Sequence, residues 1–321
     1  MSIAKDHASR RQAPWPSQRG IALVIVLWML ALLTVIANSM VFSLRSEVQV
    51  AGNHAASARA EAAADAGVFK AIRELTRPAT DVQRWQGNGL SHDWIFDGVA
   101  LRVTIMDEAG KIDINAAPET LLGSLFRSLG LDEAVAIGLA DAIIDWRDPD
   151  DLRRVSGAEK EDYIAAGKDY GPRNANFETI EELRLVLGMS DDIFRRAAPL
   201  ITAYSGRPGV SSAVAPRAVL MALPGVAPEQ ADAYLAERQT LLLQGLPAPE
   251  ATFARASAAR PVGDTFSIQV HAVLGDNTAF FREAVAQVTS NPKAPVVILA
   301  WRAPAGGQDI RNVPAPNMAN Q

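Results

Sequence analysis

The sequence predicts an α/β protein with an N-terminal transmembrane helix and a large all-helical insertion. Residues 21–44 contain no charged side chain. Apolar and polar residues alternate as in β-strands at residues 99–106 and again after residue 264, and helical patterns fill the interval between these segments. Of the 321 residues 49% are hydrophobic and none is cysteine, which excludes disulfides, cysteine-ligated metals and a thiol nucleophile.

The uncharged segment Ile21–Leu44 is long enough to cross a membrane, since a helix of this length spans about 36 Å. Arg19 and Arg45 flank it. The preceding residues are basic, with a single acidic residue: Lys5, Asp6, Arg10, Arg11 and Arg19. By the positive-inside rule the N-terminus is cytoplasmic and the chain after Arg45 lies outside.

The residues directly before the apolar segment suggest processing. Arg19-Gly20 followed by an unbroken apolar helix resembles the signal of type IV prepilin-like proteins. That resemblance implies cleavage between Gly20 and Ile21 by a prepilin peptidase, followed by methylation, with the helix kept on the mature chain. An uncleaved signal anchor is the simpler alternative, whereas a secretory signal fits poorly because the apolar run is too long.

An alanine-rich segment continues the helix beyond the membrane. Ten of the residues from Ala51 to Ala71 are alanine, the best helix former and a residue that lets helices approach closely. Arg77-Pro78 is a plausible end of the helix. This arrangement resembles a pilin stem; the alternative, a coiled-coil stalk, lacks a persistent heptad pattern.

The predicted strands lie on both sides of the helical region. Residues 99–106 form the first strand, residues 264–275 and 282–290 form a hairpin joined through Asp276-Asn277, and residues 294–302 form a further strand. We expect residues after Ala303 to form a flexible tail because they are rich in Pro, Gly, Asn and Gln.

The helical region contains a faint internal repeat. Residues 112–125 and 210–223 align without gaps and match Pro118 with Pro216, and each copy continues into a glycine-centred turn and another helix. Both copies resemble helix-hairpin-helix units. Between them, helices are predicted at residues 124–146, with a break at Leu129-Gly130, and at residues 177–189, closed by Gly188.

Acidic residues are concentrated between Asp107 and Asp192, where 20 acidic and 9 basic residues give a net charge of −11, compared with −5 for the whole chain. The densest part is the motif DWRDPDD at residues 145–151. Clustered carboxylates suit calcium, but the spacing is not that of an EF-hand. On composition alone, a solvated acidic loop with helix-capping aspartates is the better interpretation.

Enzymatic signatures are missing from the sequence. It has no G-x-S-x-G, Walker, G-x-G-x-x-G or H-E-x-x-H motif, and each of its four histidines (His7, His54, His92 and His271) is isolated. We therefore predict a protein that is not an enzyme.

Taken together, these motifs identify the chain as similar to the component K family of minor pseudopilins of type II secretion. The resemblance rests on the stem, on DEAGKIDINAAP, DWRDPDD and GAEKEDY, and on the closing VVILAW, and it covers nearly the whole chain after Arg19. It implies a pilin-like α/β head with a large inserted all-α domain of helix-hairpin-helix or SAM-like units. The expected divisions are leader 1–20, transmembrane helix 21–44, stem 45–77, head 78–114 and 261–303, insertion 115–260 and tail 304–321.

The resemblance also implies a function and a metal site. Members act at the tip of the pseudopilus, help to initiate its assembly and so support protein export across the outer membrane. The partners are components I and J, the pseudopilus, the prepilin peptidase and the inner membrane, with the bulk of the single-pass chain periplasmic. The implied structural Ca²⁺ ligands are Asp148, Asp150 and Glu159, with Asp145, Asp151 and Asp162 as contributors.

One position departs from the pilin pattern in an informative way. Pilins carry a glutamate five residues after the cleavage point, where this chain has Ile25; its first carboxylate after Gly20 is Glu47. The pilin glutamate meets the terminal ammonium of the preceding subunit. A subunit with no predecessor needs no such partner, as expected of component K.

The alternative function is a membrane-anchored periplasmic helix-hairpin-helix protein for DNA binding or uptake. Residues 223–226 resemble a DNA-binding hairpin. However, the surroundings lack a Lys/Arg stripe and the neighbouring region is strongly acidic, so no nucleic acid is expected.

Overall fold

The structure is a computed structural model that describes residues 21–78, 81, 83–249, 251, 253, 263–275 and 278–303. The predicted leader with Gly20, the Asp276-Asn277 turn and the tail after Ala303 lie outside these residues. The chain divides into two units, residues 1–56 and residues 57–321.

Within the described residues the helices are α1 Ile21–Leu75, α2 Glu119–Ser128, α3 Glu133–Arg147, α4 Lys160–Ala165, α5 Asp191–Ala197, α6 Arg217–Ala222 and α7 Pro228–Leu243. The strands are β1 Asn88–Phe96, β2 Val99–Asp107, β3 Ile112–Asp113, β4 Ile201–Thr202, β5 Thr265–Val273, β6 Ala279–Val288 and β7 Val296–Arg302. Short 3₁₀ helices occupy Glu108–Gly110, Ile180–Leu185 and Ala198–Leu200.

The first unit consists of the N-terminal part of α1. Residues Ala22–Met40 have a mean hydropathy of 2.3, and none of this stretch is buried within the protein. An exposed apolar helix of this length fits a single-pass membrane anchor, in agreement with the prediction.

In the second unit, the C-terminal part of α1 packs on the head through small side chains. Ala60, Ala64, Val68 and Ala71 are fully buried and recur at helical spacing. At Gly67 an added Cβ would lie 2.7 Å from a methyl group of Val270. The close approach of the helix to the sheet therefore explains the small side chains on its buried face, which include four of the ten alanines.

The head is a five-stranded antiparallel sheet with the strand order β1-β2-β5-β6-β7. Strand β2 alternates strictly between buried and half-buried residues, which is why it was predictable. Strands β5, β6 and β7 also agree with the prediction. Strand β1 was not anticipated, because its sequence NGLSHDWIF contains Gly, Asn and Asp, residues that are depleted in strands.

A buried arginine joins α1 to the sheet. Arg282 on β6 is 6% exposed, and its Nε and Nη2 donate to Asp65 and Glu61, each at 2.6 Å. The same guanidinium lies over the rings of Phe280 and Trp301. A buried cation needs this compensation, since an unpaired charge in the interior is strongly unfavourable.

Residues 108–264 lie between neighbouring strands of this sheet and build a second hydrophobic core, mainly from helices. Its largest fully buried side chains are Ile112, Ile114, Leu121, Leu122, Leu125, Phe126, Ile143, Tyr163, Leu183 and Ile201. Within this domain the short strands β3 and β4 pair in parallel and join segments about 90 residues apart in sequence. The sequence-based boundaries at residues 114/115 and 260/261 therefore fall close to, but not at, the ends of the flanking strands.

The internal repeat is visible in the structure as two helical pairs, α2–α3 and α6–α7. Pro118 and Pro216 precede the first helix of each pair with nearly identical backbone angles (φ −71°, ψ 160° and φ −70°, ψ 159°). Arg147 donates to the carbonyls of Ile114 and Ala117. Arg238 donates to the carbonyls of Ser212 and Ala215, which align with that pair in the ungapped repeat.

One predicted helix is wrong. Instead of an amphipathic α-helix over residues 177–189, the structure has a six-residue 3₁₀ helix, Ile180–Leu185. Val186 is already extended, and the Leu187 N–H donates to the Tyr163 hydroxyl rather than to a helical carbonyl. A tertiary hydrogen bond has here overridden the local pattern.

One carboxylate binds both chain segments that connect the sheet to the insertion, the segment leaving β2 and the segment leading to β5. Asp107, the last residue of β2, accepts the N–H of Ala109 at 2.8 Å and the N–H of Gly263 at 2.6 Å. Asp107 is fully buried, and burial raises the pKa of its carboxyl. An added Cβ at Gly263 would collide with Asp107 Oδ1.

We predict that Gly263→Ala destabilises the protein by about 1–3 kcal/mol, because the new methyl group must push the Asp107 carboxylate out of its hydrogen bonds. The measurement is the melting temperature of the full-length chain in detergent. Gly275→Ala is the matched control, since a Cβ at Gly275 would meet nothing within 4 Å. Equal melting temperatures for both variants would contradict this role of the junction.

Candidate functional site

The end of helix α3 aligns three aspartates. Asp141, Asp145 and Asp148 are separated by four and three residues, so they follow one face of the helix and its C-terminal end. Asp145 is fully buried and Asp141 is 4% exposed. Carboxylates this deeply buried require hydrogen-bond donors or a counter-ion.

The first two of these carboxylates hold the loop that follows the helix. Asp145 accepts the backbone N–H of Arg154 at 3.2 Å. Asp141 accepts from Arg154 Nε at 2.8 Å and from the Ser156 N–H at 3.0 Å. An added Cβ at Gly157 would collide with the Asp145 carboxylate. The loop is therefore folded back over α3.

Glu159 lies at the end of this loop, just before α4, and its side chain has no donor. It is 4% exposed, and neither Oε1 nor Oε2 has a hydrogen-bond partner. The Oδ1 atom of Asp148 is also buried without a partner. Buried carboxylate oxygens without donors are unfavourable and rare in folded proteins.

The pKa values of these carboxyls are raised, as expected for acidic groups that are buried close together. Burial, reinforced by the charges of Asp145 and Asp148, raises the pKa of Glu159 to about 7. Burial is also the largest cause for Asp145, whose pKa is raised to about 6, with the charge of Asp148 adding to it. The pKa of Asp148 is raised by burial and by Asp150. The largest shared cause is burial of the carboxyls, to which the charges of neighbouring carboxylates add.

The remaining predicted ligands are placed differently. Asp150 and Asp151 are exposed; Asp150 accepts the Leu152 N–H at 2.9 Å, and Asp151 accepts from Asn174 Nδ2 at 2.9 Å. Both raise the pKa of Glu159, so they lie within electrostatic reach of it.

Asp162, in contrast, caps helix α4. Its carboxylate accepts the Glu159 N–H at 2.9 Å and pairs with Arg153 at 2.9 Å, and these interactions lower its pKa. The structure therefore groups Asp145, Asp148, Asp150, Asp151 and Glu159 and gives Asp162 a capping role.

Two residues of this region were missed from the sequence. Asp141 could have been found, because it precedes Asp145 by one helical turn. Asn174 had no signal in the sequence: it lies 23 residues from Asp151, and its backbone adopts a left-handed conformation with φ +52°. In the part of the chain that the structure describes, no three His, Cys, Asp or Glu side chains converge tightly enough to hold a metal ion by themselves.

Comparison with known families gives two matches. Residues 101–206, which include the acidic cluster, match the family described as "Type II secretion system (T2SS), protein K". Residues 19–69, which include the apolar part of α1, match the PilX N-terminal family.

Several curated relatives are named type II secretion system protein K. The protein from Pseudomonas aeruginosa is 27% identical over 236 residues, covering 67% of this chain and 71% of the relative. The protein from Klebsiella pneumoniae is 29% identical over 208 residues, covering 59% and 63%. That from Pectobacterium carotovorum is 27% identical over 208 residues, covering 58% and 63%, so the matched region spans less than two thirds of the last two relatives.

A solved structure shares the fold. It is a chain of the GspK–GspI–GspJ complex from the type 2 secretion system of enterotoxigenic Escherichia coli, with a TM-score of 0.54 and 16% identity, covering 81% of this chain and 98% of that chain. At this identity the likeness concerns the fold alone, and it agrees with the predicted α/β head with inserted helices. With the family match over residues 101–206 and the named relatives, it agrees with the resemblance seen in the sequence: the chain is similar to type II secretion system protein K.

Proposed function

We propose that this protein acts at the tip of the type II secretion pseudopilus, where it helps to initiate assembly and so supports export across the outer membrane. The observation that carries the proposal is Ile25. A subunit placed behind another would use a carboxylate at this position to meet its neighbour's ammonium, and this helix offers an apolar side chain instead. A buried carboxylate without that partner would be costly, which makes the apolar residue suitable for the first subunit.

The size of the head supports the same position. The described residues between β2 and β5 form a mainly helical domain, in addition to the strands of the head. Repeating such a domain at every subunit of a thin filament would crowd neighbouring subunits. A single copy at the end avoids this steric conflict. A structural role, rather than catalysis, follows from this position.

The proposed partners are the chain's counterparts of the two proteins named with GspK in the similar complex, components I and J. Two exposed apolar surfaces are available for them. Val48 and Val50 on α1 are 72% and 50% exposed. Among the described strands β7 is an edge of the sheet, with exposed Val297, Ile298 and Leu299, and an edge strand offers backbone groups that can pair with another chain.

The N-terminal helix would hold the chain in the inner membrane until assembly, with the N-terminus cytoplasmic and the bulk periplasmic. The basic residues before Ile21 support this orientation. We further propose that the prepilin peptidase cleaves after Gly20 and that methylation follows. This processing would make Ile21, the first described residue of α1, the new N-terminus.

We also propose that the acidic cluster binds Ca²⁺. Its support is the buried, unpaired oxygens of Asp148 and Glu159, and oxygen donors of this kind are those that Ca²⁺ prefers. Asp148 and Glu159 would hold the ion, and Asp150, Asp151 and Asp145 would contribute charge or hold the loop. Bound Ca²⁺ supplies positive charge that stabilises the folded loop.

The DNA-binding alternative is not favoured. At the second helical pair, Arg217 is engaged with Asp232 at 2.6 Å and 2.9 Å, and Arg238 is bound to backbone carbonyls. These cations are therefore committed within the protein rather than offered to phosphates.

Gly20→Ala tests the processing step. We expect the variant to remain at its unprocessed mass when expressed with the prepilin peptidase, because the resemblance implies that this enzyme requires a glycine, with no Cβ, directly before the cleavage point. Mass spectrometry of the purified chain measures this. Alanine at the apolar position Leu23 serves as the control, and normal cleavage of Gly20→Ala would refute the assignment.

Glu159→Gln tests the calcium proposal with opposite effects in the two conditions. In chelator we expect the melting temperature to rise, since a repelled charge is removed; in millimolar Ca²⁺ we expect the variant to gain less stability than wild type. Asp169→Asn, the same change of charge at an exposed residue, should match wild type in both. Wild type that gains no stability from Ca²⁺ would contradict the proposal.

The raised pKa values predict how the stability of the folded protein depends on pH. Glu159 at about 7 and Asp145 at about 6 lie above their ordinary values of 4.5 and 3.8, so the folded protein holds more protons than the unfolded chain between about pH 4 and 7. In chelator, protonation of these two carboxyls therefore stabilises the folded protein at low pH, and this stabilisation is lost as the pH rises through that window. The measurement is the difference in melting temperature between wild type and Glu159→Gln at pH 5 and pH 8; a difference that does not widen at pH 8 would contradict it.

A further inference from the structure

Asn174 lies beside the acidic cluster in a conformation that few residues adopt. Its backbone φ is +52°, in the left-handed region that asparagine tolerates better than most side chains. Its Nδ2 donates to the Asp151 carboxylate at 2.9 Å. The side-chain amide is thereby directed toward the loop that carries the acidic residues.

The segment is held in place from the other side. Asn115 accepts the Phe177 N–H at 2.7 Å and donates to the carbonyls of Phe177 and Ala203, each at 3.0 Å. Phe177 itself is buried and stacked on Trp146, which lies two residues before Asp148. Asn174 therefore sits on a fixed segment three residues from this anchor.

The oxygen of the Asn174 amide is the informative atom. Oδ1 is buried and has no hydrogen-bond partner. Because Oδ1 and Nδ2 share one carbon, Oδ1 also lies near the Asp151 carboxylate. Flipping the amide, so that Oδ1 and Nδ2 exchange places, would not supply a donor to Oδ1, because the oxygen would then face the Asp151 carboxylate, which is also an acceptor. A cation bound at this place would give the buried acceptor a partner.

We propose that Asn174 supplies a neutral oxygen ligand to the Ca²⁺ of the acidic cluster while its amide N–H holds Asp151. The inference rests on the calcium binding proposed above and adds to it a residue outside the acidic motif. Acidic and histidine side chains alone do not converge into a group of three among the described residues. Ca²⁺ takes six to eight oxygens, and a neutral ligand completes the shell without adding repulsion.

Asn174→Gly is the decisive variant, because glycine accepts the left-handed backbone and removes only the amide. We expect it to bind Ca²⁺ about tenfold more weakly than wild type or worse. The measurement is equilibrium dialysis of the full-length chain in detergent with radioactive Ca²⁺. Asn176→Gly, at an exposed residue of the same segment, is the matched control and should bind as wild type does.

Asn174→Asp keeps an oxygen ligand and loses the N–H that binds Asp151; its added negative charge attracts a cation but also repels Asp151. We expect affinity within about threefold of wild type. A loss as large as that of the glycine variant would mean that the amide acts only through Asp151 and would overturn the ligand assignment. Wild-type affinity in the glycine variant would overturn the whole inference and leave calcium binding intact; absence of binding by wild type would refute calcium binding itself.

Discussion

The hydrogen bonds of the buried Asp107 carboxylate are the constraint on which the architecture depends. Strands β2 and β5 are neighbours in the sheet, yet residues 108–264 separate them in sequence. A domain of that size can be inserted between paired strands only if the chain leaves and returns at nearly the same point. Asp107 fixes that point, because one side chain binds the N–H groups of both crossings. The sheet can then form as if the insertion were a long turn.

The acidic cluster follows a different principle, in which the chain satisfies only some of its buried carboxylate oxygens. Asp141 and Asp145 accept hydrogen bonds from the loop, whereas the carboxylate oxygens of Glu159 have no donor. Neighbouring carboxylates therefore differ in their effect: those of Asp141 and Asp145 stabilise the loop through hydrogen bonds, and that of Glu159 is buried without a donor. Binding of a cation would be linked to folding of the loop, so its occupancy would set the stability of the inserted domain.

The parts of the fold that the sequence predicted are those with local periodicity. The apolar segment of α1, the alternation in β2 and the paired prolines of the repeat are all visible within a few residues. Strand β1 and the 3₁₀ helix at Ile180–Leu185 escaped prediction because tertiary contacts outweigh local preference there.

The site shows the same division. The acidic motif at residues 145–151 was evident from composition, whereas two facts required the structure: Glu159 is buried without donors, and Asn174 approaches from a distant segment. The Arg282 contacts with Glu61 and Asp65 also span more than 200 residues and leave no local pattern. Long-range pairing of polar groups was beyond the reach of a single sequence.

The contact between α1 and the sheet has a mechanical consequence. The helix lies against the sheet face through alanines and is joined to it by the two ion pairs of Arg282. A load directed along the helix axis acts parallel to this face, so the ion pairs and the apolar contact resist it together, in shear, instead of opening one after another. In the tip role proposed above, the push of an extending filament would reach the head through a joint suited to that direction of force.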